Sequence, residues 1–307
     1  MASIWPIGGG KGGSGKTFVT ASLGMLLARE GFRTLLVDVD LGAANLHTLL
    51  GVPHPERSLS DFINRRVVSL EETVVPVTGN LFFISGAMSN LDVANLAFEQ
   101  KNRLLRHILK LPYEFILLDL GAGTAFNTID FFMISNTCIF ITTPEPTAIE
   151  NIYRLIRAVY FRKAKSILKH HLFRSLTRES EEKNERNAAT NPQLLLHFIK
   201  ESDPAKGAEL EQALHALEFR LIVNQQRRQD NPHLGRLMGK IIEKHLHLRM
   251  LPIGNIAFDE RVHGSVCKKT PFIDLYPYTQ TALDLRSCCL QLLSAGRPAE
   301  APQAAVQ

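Results

Sequence analysis

The chain has 307 residues, 45% hydrophobic and 21% charged, an ordinary globular composition with ample apolar material for a large core. Its formal charge of +5 permits contact with nucleic acid or anionic lipid but does not require it. No apolar run approaches the roughly 18 residues of a transmembrane helix, the start Ser3-Ile4-Trp5-Pro6-Ile7 is too short for a signal peptide, and four cysteines without a C-x-x-C pair exclude a disulfide scaffold and fit a reducing cytosol.

In chain order, a strand is predicted at Ser3–Gly8, then a glycine-rich turn and a helix over Lys16–Arg29. Strands follow at Arg33–Val39 and Asn80–Ser85, a helix over Val93–Leu109, and strands at Glu114–Asp119 and Thr137–Thr143. Unbroken apolar runs such as Phe115-Ile116-Leu117-Leu118 indicate strands buried on both faces. Pro6 deletes a ladder donor and must sit where that donor is not needed. A long basic helix runs from Thr147 to about Arg178, followed by a polar patch at Glu179–Thr190. Two more helices open with a cap and a proline, at Asn191-Pro192 and Asp203-Pro204. Strands at Glu218–Asn224 and Met250–Ile256 complete the pattern.

Alternating strands and helices predict an α/β fold, a doubly wound and mostly parallel sheet flanked by helices. About 75 residues separate Thr143 from Glu218, far more than a simple crossover needs, so a helical insertion is expected at about 160–217. One domain is expected over 1–295, with a disordered tail at 296–307 rich in Ala, Pro and Gln.

The strongest motif is Gly10-Lys11-Gly12-Gly13-Ser14-Gly15-Lys16-Thr17, which fits G-x-x-x-x-G-K-[ST]. Its glycines let backbone N–H groups turn inward around phosphate oxygens. The helix that begins here points its positive end at the same oxygens. Lys16 is placed to reach the β- and γ-phosphates and Thr17 to give its hydroxyl to Mg²⁺. A second motif, Asp38-Val39-Asp40-Leu41-Gly42-Ala43-Ala44-Asn45, follows the second strand, where carboxylates face the crevice of an open α/β sheet. Asp38 lies nearer the strand and the water shell of Mg²⁺. A third, Ile116-Leu117-Leu118-Asp119-Leu120-Gly121-Ala122-Gly123, sets four apolar residues before Asp119, a water-mediated Mg²⁺ holder. The glycines behind it, Gly121 first, free a backbone N–H to sense the γ-phosphate.

With Lys11 inside the loop, the sequence resembles the deviant Walker A family of P-loop ATPases, whose loop reads K-G-G-x-G-K-[ST]. The Gly42-Ala43-Ala44-Asn45-Leu46 segment and Thr143-Pro144-Glu145-Pro146-Thr147 resemble its MinD/FlhG branch more than its ParA branch, which often carries P-Q in the first switch. The resemblance spans roughly residues 3–160 and 218–290. It implies that Lys11 crosses a dimer interface to the partner's nucleotide, that Asp40 polarises the attacking water, and that Asn45 belongs to the first switch. It also implies that Asn224 reads the adenine base. Gly254-Asn255-Ile256-Ala257-Phe258-Asp259 resembles the family's G-Y-I-P-Y-D segment but has Ala257 where proline is usual. The absence of N-K-x-D argues against a guanine site.

The resemblance further implies ATP and Mg²⁺ as ligands and an ATP-bridged homodimer with slow hydrolysis. It implies an unidentified protein partner and a role in placing flagella or the division site. The expected place is the cytoplasm, with peripheral attachment at the inner membrane or a cell pole. The chain starts at its first strand, without the N-terminal extension of FlhG proteins, and no MinD-type lipid helix is evident after Leu293. The stretch 154–178 carries Arg154, Arg157, Arg162, Lys163, Lys165, Lys169, Arg174 and Arg178 with no acid between, a face suited to weak contact with an anionic membrane or DNA. His170-His171 and His245-x-His247 lack further ligands for a metal. Three other readings stand beside it: a ParA-like partitioning ATPase; an iron–sulfur carrier, which Cys138, Cys267, Cys288 and Cys289 are badly spaced to support; and a DNA-binding regulator in which ATP is only structural, against which an intact Asp40 argues.

Overall fold

In the computed structural model, residues 2–41, 44–86, 96–123, 126–168 and 191–295 are described. Eight strands form one sheet. They are β1 (Ser3–Gly8), β2 (Thr34–Asp38), β3 (Val74–Thr78), β4 (Leu81–Ile84), β5 (Phe115–Asp119), β6 (Thr137–Thr142), β7 (Glu218–Gln226) and β8 (Met250–Ala257). Their order is β3-β4-β2-β5-β1-β6-β7-β8. All neighbouring pairs are parallel except β3 with β4. The doubly wound, mostly parallel sheet expected from the sequence is therefore present.

The helices are α1 (Lys16–Arg29), α2 (Leu46–Leu50), α3 (Leu59–Ile63), α4 (Phe98–Ile108), α5 (Phe126–Phe132), α6 (Pro146–Ile167), α7 (Pro192–Ser202) and α8 (Pro204–His215). They continue with α9 (Leu234–Leu246), α10 (Arg261–Cys267), α11 (Phe272–Leu275) and α12 (Gln280–Ala295). Two buried clusters mark the two faces of the sheet. One joins α3 to α9 around Ile116, Leu118, Phe140 and Phe219, and the other joins α1, α2, α11 and α12 around Leu36, Leu117, Ile139 and Ile222. The central strands alternate between the clusters, so their apolar runs are explained by burial on both sides. Each such fully buried Leu or Ile is worth roughly 1.5–3 kcal/mol over leaving it exposed.

Pro6 fits β1 for a local reason. Ile7 O accepts from Leu120 N, so Ile7 faces β5 and the alternation turns Pro6 toward β6. There the β1–β6 ladder starts only at Ile7–Ile139, beyond the proline. Ile4 O, on the same side, accepts from Ser135 Oγ at 2.8 Å.

The stretch between β6 and β7 packs onto the first cluster. Leu195, Ile199, Leu210 and Leu214 are buried in it, and Tyr160 donates to Pro192 O at 2.8 Å. The two cap-and-proline starts are as the sequence reads. Asn191 Oδ1 accepts from Gln193 N, Asp203 Oδ1 accepts from Lys206 N, and a proline opens each helix. The basic helix predicted to about Arg178 is helical over Pro146–Ile167. Lys169, His170, His171, Arg174, Arg178 and the patch to Thr190 lie outside the described residues, as do Gly42, Ala43 and the tail 296–307. No described helix is long and apolar enough to cross a membrane.

Candidate functional site

The site lies at the carboxyl ends of β1, β2 and β5, neighbours in the sheet, each feeding one of the three motifs. Between β1 and α1 the loop turns through Gly13 at φ +78 and Gly15 at φ +84, a left-handed region that a side chain resists. No acid occupies the first turn of α1, so the helix presents bare N–H groups and a positive end to the loop. Gly10 is needed for a different reason: a Cβ there would overlap the backbone and Cβ of Asn151 on α6. Loop and helix therefore touch without an intervening side chain. The loop is also held from β7, where Asn224 Nδ2 donates to Ser14 O and Gln225 Nε2 to Gly13 O, both at 2.9 Å.

Four charged side chains converge under this loop. Lys16 is buried, and desolvation lowers its pKa against the opposing charges of Asp119 and Asp40. Asp119 is buried and accepts from Thr20 Oγ1 at 3.2 Å. Burial raises its carboxyl to about 7, although hydrogen bonds from Thr17 and Thr20 and the Lys16 charge pull it back. Asp38 is fully buried, and burial together with the Asp119 charge pushes it well above the ordinary carboxylate range. Its oxygens accept from Asp40 N at 3.2 Å and Leu46 N at 3.1 Å, which ties the start of α2 to β2. The Asp40 carboxylate lies beside Gly121. Gly123 N donates to Gly9 O at 3.3 Å, so the third motif also touches the loop.

These residues fit a magnesium nucleotide. Two buried carboxyls with raised pKa values are poised for a cation, whose charge would favour their ionised forms. Thr17 adds a hydroxyl beside them, and Ser14 Oγ is buried with no partner among the described residues, an orphan that a phosphate oxygen would satisfy. Next to the loop is a cavity of about 250 Å³, lined by Gly15, Phe18, Asn224, Phe258, His263 and Thr281. The largely apolar slot suits a base, and Arg227 stacks over Phe258 at 4.5 Å.

Thus Gly10, Gly12, Gly13, Ser14, Gly15, Lys16, Thr17, Asp38, Asp40, Gly121 and Asp119 gather around one crevice, and Asn224 lies between loop and cavity. Asn45 stands just before α2, as its N-cap residue. Lys11 is exposed and pairs within its own chain, its Nζ lying 2.5 Å from Glu145 Oε2. Glu145 lies in the Thr143–Thr147 segment that the sequence singles out, but no spacing rule pairs it with Lys11, and none records the Gln225 clamp. Ala257, where the resembled segment has proline, uses its N–H: it donates to Asp284 Oδ2 at 2.8 Å, a bond proline cannot make. The cysteines form no ligand set. Cys138 is buried in one cluster, Cys288 and Cys289 in the other with thiols pushed up to about 12 by burial, and Cys267 is exposed. Among the described residues, no group of His, Cys, Asp and Glu could hold a metal ion by itself.

Comparison with known proteins finds the family and the fold. The family model "CobQ/CobB/MinD/ParA nucleotide binding domain" matches residues 6–272. The antiactivator FleN of Pseudomonas aeruginosa is 30% identical over 164 residues, and a septum site-determining MinD-type protein of Guillardia theta is 34% identical over 159. Each match covers 51% of this chain and 58% of the relative, so the chain spans little more than half the length of the curated relatives it matches. The structure of the septum site-determining protein MinD from Pyrococcus horikoshii, complexed with Mg-ADP, superposes with a TM-score of 0.64 at 21% identity, covering 96% of this chain and 98% of that one.

Proposed function

The chain belongs to the CobQ/CobB/MinD/ParA nucleotide-binding domain family, and from that premise we propose that it is an ATP-dependent dimerisation switch with slow hydrolysis, acting as a spatial regulator of the MinD/FlhG kind. The observation that carries this reading is the convergence of Lys16, Asp38, Asp40 and Asp119 beneath a glycine loop. The names of the relatives, an antiactivator and a septum site-determining protein, favour a regulatory role over cargo partition. The dispersed cysteines, three of them buried, speak against an iron–sulfur carrier.

In this mechanism the loop amides and Lys16 hold the phosphates of ATP. Thr17, Asp38 and Asp119 would hold Mg²⁺, which when bound supplies positive charge against the phosphate oxygens. Asp40 orients the water that attacks the γ-phosphoryl group, and ADP leaves. Gly121 keeps that carboxylate and its own N–H together, so γ-phosphate state and switch position are read at one point. Lys11, exposed at the rim, acts across the interface on the second nucleotide. The dimer face then recruits a protein partner until hydrolysis releases it. Asn224 serves two tasks, fixing Ser14 O and bordering the base cavity.

The test is Asp40→Ala. ATP binding, measured by calorimetry, should stay near the wild-type level, because Lys16, Thr17 and the loop amides remain. Turnover should fall by orders of magnitude, and an ATP-bound dimer should accumulate on size exclusion. A wild-type hydrolysis rate would remove Asp40 from the chemistry. Lys16→Ala should abolish nucleotide binding altogether.

A further inference from the structure

Helices α3 and α4 both pack on the first buried cluster, one through Leu59 and Phe62, the other through Leu104 and Ile108. On the outer side, a cleft runs between the turn after α3 and the face of α4. It consists of two adjoining cavities, of about 380 and 630 Å³, that share Arg65, Glu99 and Arg103. Arg106, Leu105 and Leu109 line the larger one, and Leu109 is 53% exposed.

The cations of this cleft are all arginines, and the fold fixes how they stand. Arg103 lies over the ring of buried Phe62, 4.2 Å from its centroid, and its Nη1 donates to Phe62 O at 3.3 Å. Arg106, three residues further along α4, donates through Nε to Asn102 O at 3.3 Å. Arg65 follows α3 in the left-handed region, at φ +59, and its N–H donates to Phe62 O at 3.1 Å. A non-glycine residue adopts that region at a cost, and positions of this kind gather at ligand clamps. Among the described residues, neither these three arginines nor Glu99, the one acid of the lining, is in a salt bridge. Their charge is thus unspent, whereas Arg66 next door is engaged by Asp61.

We propose that the cleft between α3 and α4 is a docking groove for an acidic segment of a partner protein, its carboxylates gripped by the arginine forks. A guanidinium presents paired N–H donors that match the two oxygens of a carboxylate, and it is less strongly hydrated than an ammonium. Three such groups along one cleft suit a chain with several carboxylates better than a single small anion. Arginines already held by Phe62 and Asn102 lose little freedom on binding. Leu105 and Leu109 offer aliphatic surface to an apolar side chain of the same segment. A bilayer or a duplex presents its phosphates on a broad surface and would leave Arg103, partly buried against Phe62, unused. None of these residues lines the base cavity or belongs to the phosphate loop, so the inference stands apart from the nucleotide chemistry.

The experiment is fluorescence anisotropy of the full chain with two labelled synthetic peptides. One is rich in Asp and Glu with interspersed Leu, and the other has Asn and Gln in place of the acids. The wild type should bind the acidic peptide about tenfold more tightly or better. Arg65→Gln with Arg106→Gln should remove that preference, while nucleotide affinity and melting temperature stay at the wild-type level. Arg65→Lys with Arg106→Lys keeps the charge, yet should weaken binding about threefold or more, because an ammonium lacks the fork. Glu99→Gln should tighten binding, since it removes a like charge from the cleft. The proposal is overturned if the wild type does not distinguish the peptides, or if the glutamine or the lysine pair binds as the wild type does. It is also overturned if Glu99→Gln weakens binding, or if Lys163→Glu with Lys165→Glu on α6 abolishes it. Binding of anionic vesicles or duplex DNA that needs Arg65 and Arg106, in a protein indifferent to the peptide, would assign the surface to another polyanion and overturn it too.

Discussion

The carboxylate of Asp40 rests against Gly121: a Cβ built on that glycine would sit 3.2 Å from Oδ1 and 3.3 Å from Cγ. The two residues follow different strands, each two positions beyond the end of β2 or β5, which lie side by side in the sheet. Their contact joins the second motif to the third. It also makes a prediction that needs no change to either carboxylate. Gly121→Ala should displace Asp40 by a few tenths of an ångström and slow ATP hydrolysis about tenfold, since small misplacements at a reacting centre are costly. Nucleotide affinity, set by the loop and Lys16, should be unchanged. Phosphate release beside calorimetry checks both halves, and a wild-type rate would mean the carboxylate is not poised where it lies.

A second prediction concerns Asn224. Its Nδ2 occupies the place where a Cβ on Gly15 would go, and it donates to Ser14 O. Asn224→Ala removes that tie and leaves Ser14 O without its donor, at a cost of about 1–3 kcal/mol. Both thermal stability and ATP affinity should fall, because the loop loses one of its two clamps. A variant with lowered melting temperature but unaltered affinity would show that Gln225 suffices to shape the loop.

A third concerns α5, the helix that follows the third motif. Asp130 on α5 accepts two bonds from Arg162 on α6, at 2.6 and 2.7 Å, and pairs with buried Lys101 on α4. Burial alone would raise its pKa, but the bonds from Arg162 and Lys101 outweigh it and hold the carboxyl below its ordinary range. A depressed carboxyl contributes stability that is present above the unfolded pKa, near ~3.9, and is lost as pH falls through the lower folded value. Asp130→Asn should therefore cost about 3 kcal/mol at neutral pH, because it strands a buried ammonium. Urea melts of both proteins should differ by a constant amount from neutrality down to about pH 5 and converge below the folded pKa.

How much of this was legible in the sequence depends on range. Strands such as Phe115–Asp119 and Thr137–Thr142 are short apolar runs bounded by turns, and their bounds fall within a residue of expectation. β3 was missed because Val74-Val75-Pro76-Val77-Thr78 lies at a sheet edge, carries a proline and an irregular register at Pro76/Thr78, and is half exposed. The phosphate loop and the carboxylates were legible because each motif is local to one strand end. The contacts that tune them were not. Gly10 against Asn151, Ala257 bonded to Asp284, and the Lys101–Asp130–Arg162 cluster join distant segments, and no spacing rule records them. The basic helix was legible as charge, but pairing with Glu150 and Asp130 decides how much of that charge faces outward.

The last prediction follows from the pairing of Lys11 with Glu145. A lysine engaged by its own chain cannot at the same time reach a partner's nucleotide, so forming the dimer must break this bond. The pair is exposed, with side chains 44% and 55% accessible, and such a bridge is worth about 0–1 kcal/mol. Glu145→Gln should thus leave the melting temperature unchanged. If the pair restrains Lys11, the same variant should dimerise at a lower ATP concentration, by up to about fivefold, since 1.4 kcal/mol is tenfold in an equilibrium. Lys11→Ala should bind ATP yet fail to dimerise or turn over. Light scattering across an ATP titration reads all three proteins. A Glu145→Gln protein that needs more ATP to dimerise would show that the carboxylate works within the dimer, and a Lys11→Ala protein that dimerises normally would end the case for a lysine acting across the interface.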